Sequence, residues 1–166
     1  MATKNNTGFN LKVQDHDGAY RTASADEIIH AAKSAINRRF RRGSSLTSPQ
    51  ETRDFLRLKL ASLEHEVFAV IWLDNRHRVL KYEELFRGTI DGSSVYPREV
   101  VKAALQNNAA ACIFAHNHPS GVSEPSSADI NITRRLKDTL SFIDVRVLDH
   151  IVVGEECVSF AERGLI

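Results

Sequence analysis

The sequence is poor in the features that would place it outside ordinary globular proteins. It has two cysteines, Cys112 and Cys157, each inside an apolar, strand-like run. That excludes a disulfide framework and a Cys-rich metal site, and the reading is two buried thiols. No uninterrupted apolar stretch approaches the roughly 20 residues that a membrane helix needs, so no membrane span is expected. The first ten residues, Met-Ala-Thr-Lys-Asn-Asn-Thr-Gly-Phe-Asn, lack the apolar core of a secretory signal, and a cytoplasmic location is expected. With 166 residues the chain has room for one real core but hardly two. No internal repeat or low-complexity tract appears.

A net charge of +1 hides an asymmetry. Residues 1–43 carry eight Lys/Arg against four Asp/Glu, and residues 44–166 carry 14 against 17. The division gives a basic N-terminal arm and helix (1–43) and a slightly acidic main domain (44–166). Residues 1–23 have no period and read as a mobile or loosely docked arm. From Ser24, Ile28, Ala32, Ala35, Ile36 and Phe40 recur at helical spacing, with Ser24 or Asp26 as N-cap and Gly43 as C-cap. This helix ends in Arg38, Arg39, Arg41 and Arg42. The cluster is either a weak phosphate-contacting patch for DNA or a solvated end complementing the helix dipole, and without base-stacking aromatics it specifies little.

In the main domain, Ser48-Pro49-Gln50-Glu51 combines a capping Ser, Pro at the first helical position and Glu three residues after the cap. The helix it starts should reach about residue 62. The run from Val67 to Leu73 is continuous, β-branched and aromatic, as a strand covered on both faces should be. Asp74-Asn75 turns the chain into a strand over 78–86, with a further one near Thr89 and a turn at Asp91-Gly92. Pro97 opens a helix ending near Asn107, and 109–115 is another buried strand. A polar loop spans 116–125, a helix begins at Ser126, and strands over 146–153 and 157–160 close the chain. Interleaved strands and helices predict an α/β architecture, a mixed sheet flanked by helices.

The chemistry concentrates after the 109–115 strand. His116 and His118, at i and i+2 in extended backbone, project from one side and can reach one point. Ser126 as N-cap places Asp129 in the first helical turn, near the emerging loop. Two histidines and one carboxylate leave one of zinc's four positions vacant for water, which marks a catalytic rather than a structural site. Each part has a bland explanation: a surface histidine, a helix cap, a turn. Their joint placement at the carboxyl end of a buried strand favours the metal.

His-x-His, seven residues, then Ser-x-x-Asp matches the JAMM motif of the JAB/MPN metalloprotease superfamily. Tyr96-Pro97-Arg98-Glu99-Val100-Val101, the stretch from Ala115 to Gly121, and Leu148-Asp149-His150-Ile151 resemble its bacterial RadC branch, over about residues 48–166. The resemblance implies a JAB/MPN fold, related to the cytidine-deaminase-like architecture, with one Zn2+ on His116, His118 and Asp129. It implies that Ser126 helps stabilise the oxyanion and that a Glu upstream acts as general acid/base. The matching position is Glu66, with Glu64 as the alternative if the strand begins sooner. Asn117 stands where deubiquitinating members have Ser or Thr, which leaves ubiquitin-like substrates in doubt. The helix-hairpin-helix region of full-length RadC proteins has no match in residues 1–43.

The function implied is a zinc-dependent metallohydrolase, a metallopeptidase or isopeptidase that cleaves an amide bond of a peptide or protein substrate. Nucleotide deamination is disfavoured, since His-x-Glu and Pro-Cys-x-x-Cys are missing. The alternative is a non-enzymatic accessory of DNA repair or recombination. His150 reads as a hydrogen-bonded histidine near the core, with a role behind a metal ligand as the other reading.

Overall fold

The computed structural model describes residues 11–46, 48–88 and 94–166. The chain divides into two compact units, Met1–Arg39 and Phe40–Ile166.

In the first unit, β1 (Lys12–Gln14) and β2 (Tyr20–Thr22) form an antiparallel hairpin, and α1 spans Ala25–Arg39. The segment read as a mobile or loosely docked arm thus contains a short hairpin that its sequence pattern does not announce. Strands of three residues are too short to carry an alternating period, so the pairing rests on the turn: Asp15 and Ala19 are hydrogen-bonded, with Gly18 at φ +85°. Ser24 caps α1 as expected, its Oγ accepting from Glu27 N–H while the Glu27 carboxylate accepts from Ser24 N–H. The helix ends at Arg39, four residues short of Gly43.

The second unit has α2 (Pro49–Leu60), β3 (Val67–Leu73), β4 (Val79–Arg87), α3 (Pro97–Gln106), β5 (Ala111–Asn117), α4 (Ser127–Ser141), β6 (Arg146–Val153) and β7 (Cys157–Ser159). The expected strand near Thr89 and the Asp91-Gly92 turn lie outside the described residues. Pro97 opens α3 as read. At α2 the expected capping bond is not made: Pro49 sits at the start, but the Ser48 side chain accepts no capping hydrogen bond.

The five strands form one mixed sheet in the order β4-β3-β5-β6-β7. Only β5 and β6 are parallel, and α4 is the crossover between them, as a parallel pair requires. β3 and β5, in the middle, are buried at every position, which explains their continuous apolar runs. Strand alternation splits their side chains between two cores. Phe68, Val70, Trp72, Cys112 and Phe114 pack with Val100 and Ala104 of α3 and Leu136 and Leu140 of α4. Ala69, Ile71 and Leu73 point to the opposite face. Phe40 stacks on Phe55 of α2 at 3.9 Å between ring centres. Cys112 is buried as expected, whereas Cys157 on the edge strand β7 is only half-buried. Among the described residues, no helix is long and apolar enough to cross a membrane.

Candidate metal centre

β5 runs two residues further than its apolar run suggests, through His116 and Asn117, because both remain paired to β6 at Val152 and Val153. His116 therefore belongs to the sheet rather than to the loop, and it is 1% exposed. His118 follows at the strand's exit, its backbone N–H still bonded to Val153 O. By alternation both imidazoles fall on the α4 face and Asn117 on the other.

α4 brings the carboxylate. Ser126 is its N-cap: Ser126 Oγ accepts from Asp129 N–H, and Asp129 Oδ2 accepts from both the backbone N–H and the hydroxyl of Ser126, at 2.7 and 2.6 Å. This capping box holds Oδ2, on the His118 side, and leaves Oδ1 turned to His116. His116 Nε2 is 2.9 Å from His118 Nε2 and 3.3 Å from Asp129 Oδ1, and His118 Nε2 is 3.5 Å from Oδ2. One ligand atom from each of the three residues falls within 4.8 Å of the others.

The donor set fits a cation. His118 Nδ1 lies 2.6 Å from the Val122 carbonyl, which can only accept, so Nδ1 carries hydrogen and the neutral ring turns a bare Nε2 inward. Nitrogen lone pairs and a carboxylate thus crowd together and require positive charge between them. Without a cation that charge is protons. The hydrogen bond to Asp129 raises the His118 imidazole against the pull of burial. Burial opposes ionisation of Asp129, but hydrogen bonds from His116, His118 and Ser126 together outweigh it and hold the carboxyl far below the usual range. Two imidazoles and a carboxylate suit zinc among several divalent metals.

The loop after His118 is held by close packing. Gly121 adopts φ +82°, and its carbonyl accepts from Glu155 N–H at the β6–β7 turn. A Cβ on Gly154 would run into the Gly121 carbonyl and into Ser123 Oγ at 2.6 Å. Ser123 Oγ bonds both the N–H and the carbonyl of Glu156.

The cluster opens into a cleft of about 560 Å³ whose walls include Glu66, Phe68, Val95 and Ile132. Glu66 precedes Phe68 by two residues as His118 follows His116 by two, and Phe68 pairs with His116 across β3 and β5. The register therefore brings Glu66 to the cleft, while Glu64 is exposed and outside its lining. Ser126 also lines it, with its hydroxyl proton directed to Asp129. Arg38, Arg39, Arg41 and Arg42 are all exposed.

Two buried polar side chains stand behind the site: Asn117, whose grip on β3 the sequence does not show, and His150, which is buried and hydrogen-bonded as its sequence context suggests. Asn117, also 1% exposed, accepts from Val67 N–H through Oδ1 at 2.8 Å and donates through Nδ2 to the carbonyls of His65 at 3.0 Å and Leu63 at 3.4 Å. Only one amide orientation satisfies a donor and two acceptors, so the assignment is fixed by the network. The residues on either side of Glu66 are thereby gripped, and the Glu66 carbonyl accepts from Gly88 N–H at 2.8 Å. His150, fully buried among Phe68, Phe114 and Phe160, touches His116 on one side and Thr133 on the other. An Asn or His inside an apolar strand run was the available signal, since such side chains must find partners when buried.

A mixed α/β domain in which a central strand and the next helix's capping box converge His-x-His and Asp on one point defines the JAB class. The RadC-like JAB domain model matches residues 46–165, and the chain belongs to that family. It is 56% identical over 156 residues to a UPF0758 protein of Vibrio cholerae, an alignment covering 94% of this chain and 99% of the relative. It is 57% identical over 150 residues to a UPF0758 protein of Marinobacter nauticus, covering 90% of this chain and 67% of the relative.

Proposed function

We propose that the chain is a zinc-dependent hydrolase of peptide or isopeptide bonds. The observation that carries the reading is the convergence of His116, His118 and Asp129 at the base of a cleft that Glu66 also lines. A zinc ion held by the three would supply Lewis acidity and bring the pKa of water towards neutrality. Glu66 accepts a proton from the water that attacks the amide carbon. The Ser126 hydroxyl, rotated away from Asp129 Oδ2, donates to the carbonyl oxygen as negative charge develops there. Glu66 then returns its proton to the nitrogen as the C–N bond breaks, giving an acid and an amine. Phe68, Val95 and Ile132 supply an apolar wall against which a substrate side chain excludes water.

The test is metal analysis of the purified protein beside zinc-dependent cleavage of a peptide library. About one zinc per chain, with cleavage abolished by chelation and restored by zinc, supports the reading; bound zinc with no cleavage of any peptide or isopeptide bond rejects hydrolysis. A non-enzymatic, DNA-associated role is favoured only by the four exposed arginines, and a net charge of +1 gives it no wider electrostatic support.

A further inference from the structure

A chain of three hydrogen bonds runs from the backbone of one candidate ligand to the ring of another, and the chemistry of its first member fixes the direction of them all. The Asp129 carbonyl, 2.6 Å from Thr133 Oγ1, can only accept, so the hydroxyl proton of Thr133 is committed to it. Thr133 Oγ1 is then an acceptor towards His150, whose Nδ1 at 2.5 Å must carry hydrogen. The His150 ring sits with no exposed surface among Phe68, Phe114 and Phe160, surroundings that suit a neutral imidazole. Its Nε2 is therefore a bare acceptor, and His116 Nδ1, 2.8 Å away, must donate to it. In the neutral ring the remaining nitrogen of His116, Nε2, is then left with its lone pair pointing at His118 and Asp129, the position at which a cation replaces the proton that the metal-free cluster holds there.

We propose that Thr133 and His150 are positioning residues that lock His116 into the tautomer presenting a bare Nε2 to the metal. Neither touches the cleft's reacting atoms through a ligand atom of its own; both act through His116. The relay also joins three elements, because Thr133 and Asp129 lie on α4, His150 on β6 and His116 on β5. Deforming it shifts two ligands together. The inference rests on the metal reading for its purpose, but the tautomer is a property of the metal-free protein and is measured separately.

The experiment uses the full chain with ¹⁵N-labelled histidine. Long-range ¹H–¹⁵N spectra of the metal-free protein, recorded where the rings are neutral, should show His116 protonated at Nδ1 and bare at Nε2. Thr133→Val keeps the shape and removes the hydroxyl, so both tautomers should appear, and zinc affinity, measured by chelator competition, should fall by about 10- to 100-fold. Thr133→Ser restores the hydroxyl and should restore the single tautomer and most of the affinity. A neutral His116 ring with its hydrogen on Nε2 in the wild type overturns the proposal, and that spectrum decides even if Thr133→Val fails to fold. So does a Thr133→Val protein with unchanged tautomer and affinity. A wild type that binds no zinc yet shows the expected tautomer and its dependence on Thr133 supports the relay while rejecting the metallohydrolase reading.

Discussion

Replacing Asn117 by Ala should loosen the entry to β3 without disturbing the candidate ligands, which lie on the other face of the sheet. The wild-type amide makes three hydrogen bonds to the chain around Glu66. The His65 and Leu63 carbonyls are half-buried and can turn to water, whereas Val67 is 2% exposed and its N–H would lose the Asn117 oxygen. Leaving a buried donor unpaired costs about 1–3 kcal/mol. A loss of about 2 kcal/mol in a chain of this size lowers the melting temperature by roughly 4–8 °C, at about 2–4 °C per kcal/mol. Asn117→Asp should be no better than Ala, since a carboxylate still accepts from Val67 but faces two carbonyls it can only repel. Thermal and urea melts measure the loss, and hydrogen exchange at the Val67 amide locates it. Zinc content should be retained while any hydrolytic turnover falls, because both neighbours of Glu66 are released. A destabilisation below about 0.5 kcal/mol with Val67 still protected would refute the reasoning.

Four further outcomes are expected. Asp129→Ala and His118→Ala should lose zinc on metal analysis while keeping a cooperative melt; His116→Ala should lose both zinc and stability, since its ring is buried in β5 and its removal orphans His150 Nε2. Glu66→Gln should keep its zinc and lose about 100- to 10,000-fold in turnover once a substrate is found, with Glu64→Gln near wild type; the reverse pattern would reassign the base. Gly154→Ala should lower thermal stability and weaken zinc binding together, because the added methyl displaces the Gly121 carbonyl from the loop that orders His118; an unchanged melt and zinc affinity would count against that packing. If the arginine cluster contacts DNA, filter binding should be salt-dependent and should vanish when Arg38, Arg39, Arg41 and Arg42 are all replaced by Gln, and a salt-independent residue of binding would exclude the cluster as its source.

Much of this molecule is local and therefore written in the sequence. The continuous apolar run from Val67 to Leu73 marks a central strand, His116 and His118 share a face because strand side chains alternate, and Ser126 with Asp129 forms a capping box because a helix start leaves backbone N–H groups to satisfy. These relations span two to seven residues, and the resemblance they carry led to the family. The hairpin in residues 12–22 is not legible because three-residue strands leave no period, and the polarity of His116 and Asn117 looks like the onset of a loop although β5 continues through both. Only the tertiary structure decided what those two side chains do. Asn117 meets Val67 50 positions away along the chain, and His116 meets His150 at a separation of 34. Pairing over such distances depends on the order β3-β5-β6 in the sheet. The sequence names the candidate ligands, and the packing of α4 and β6 against β5 sets which nitrogen of His116 faces them.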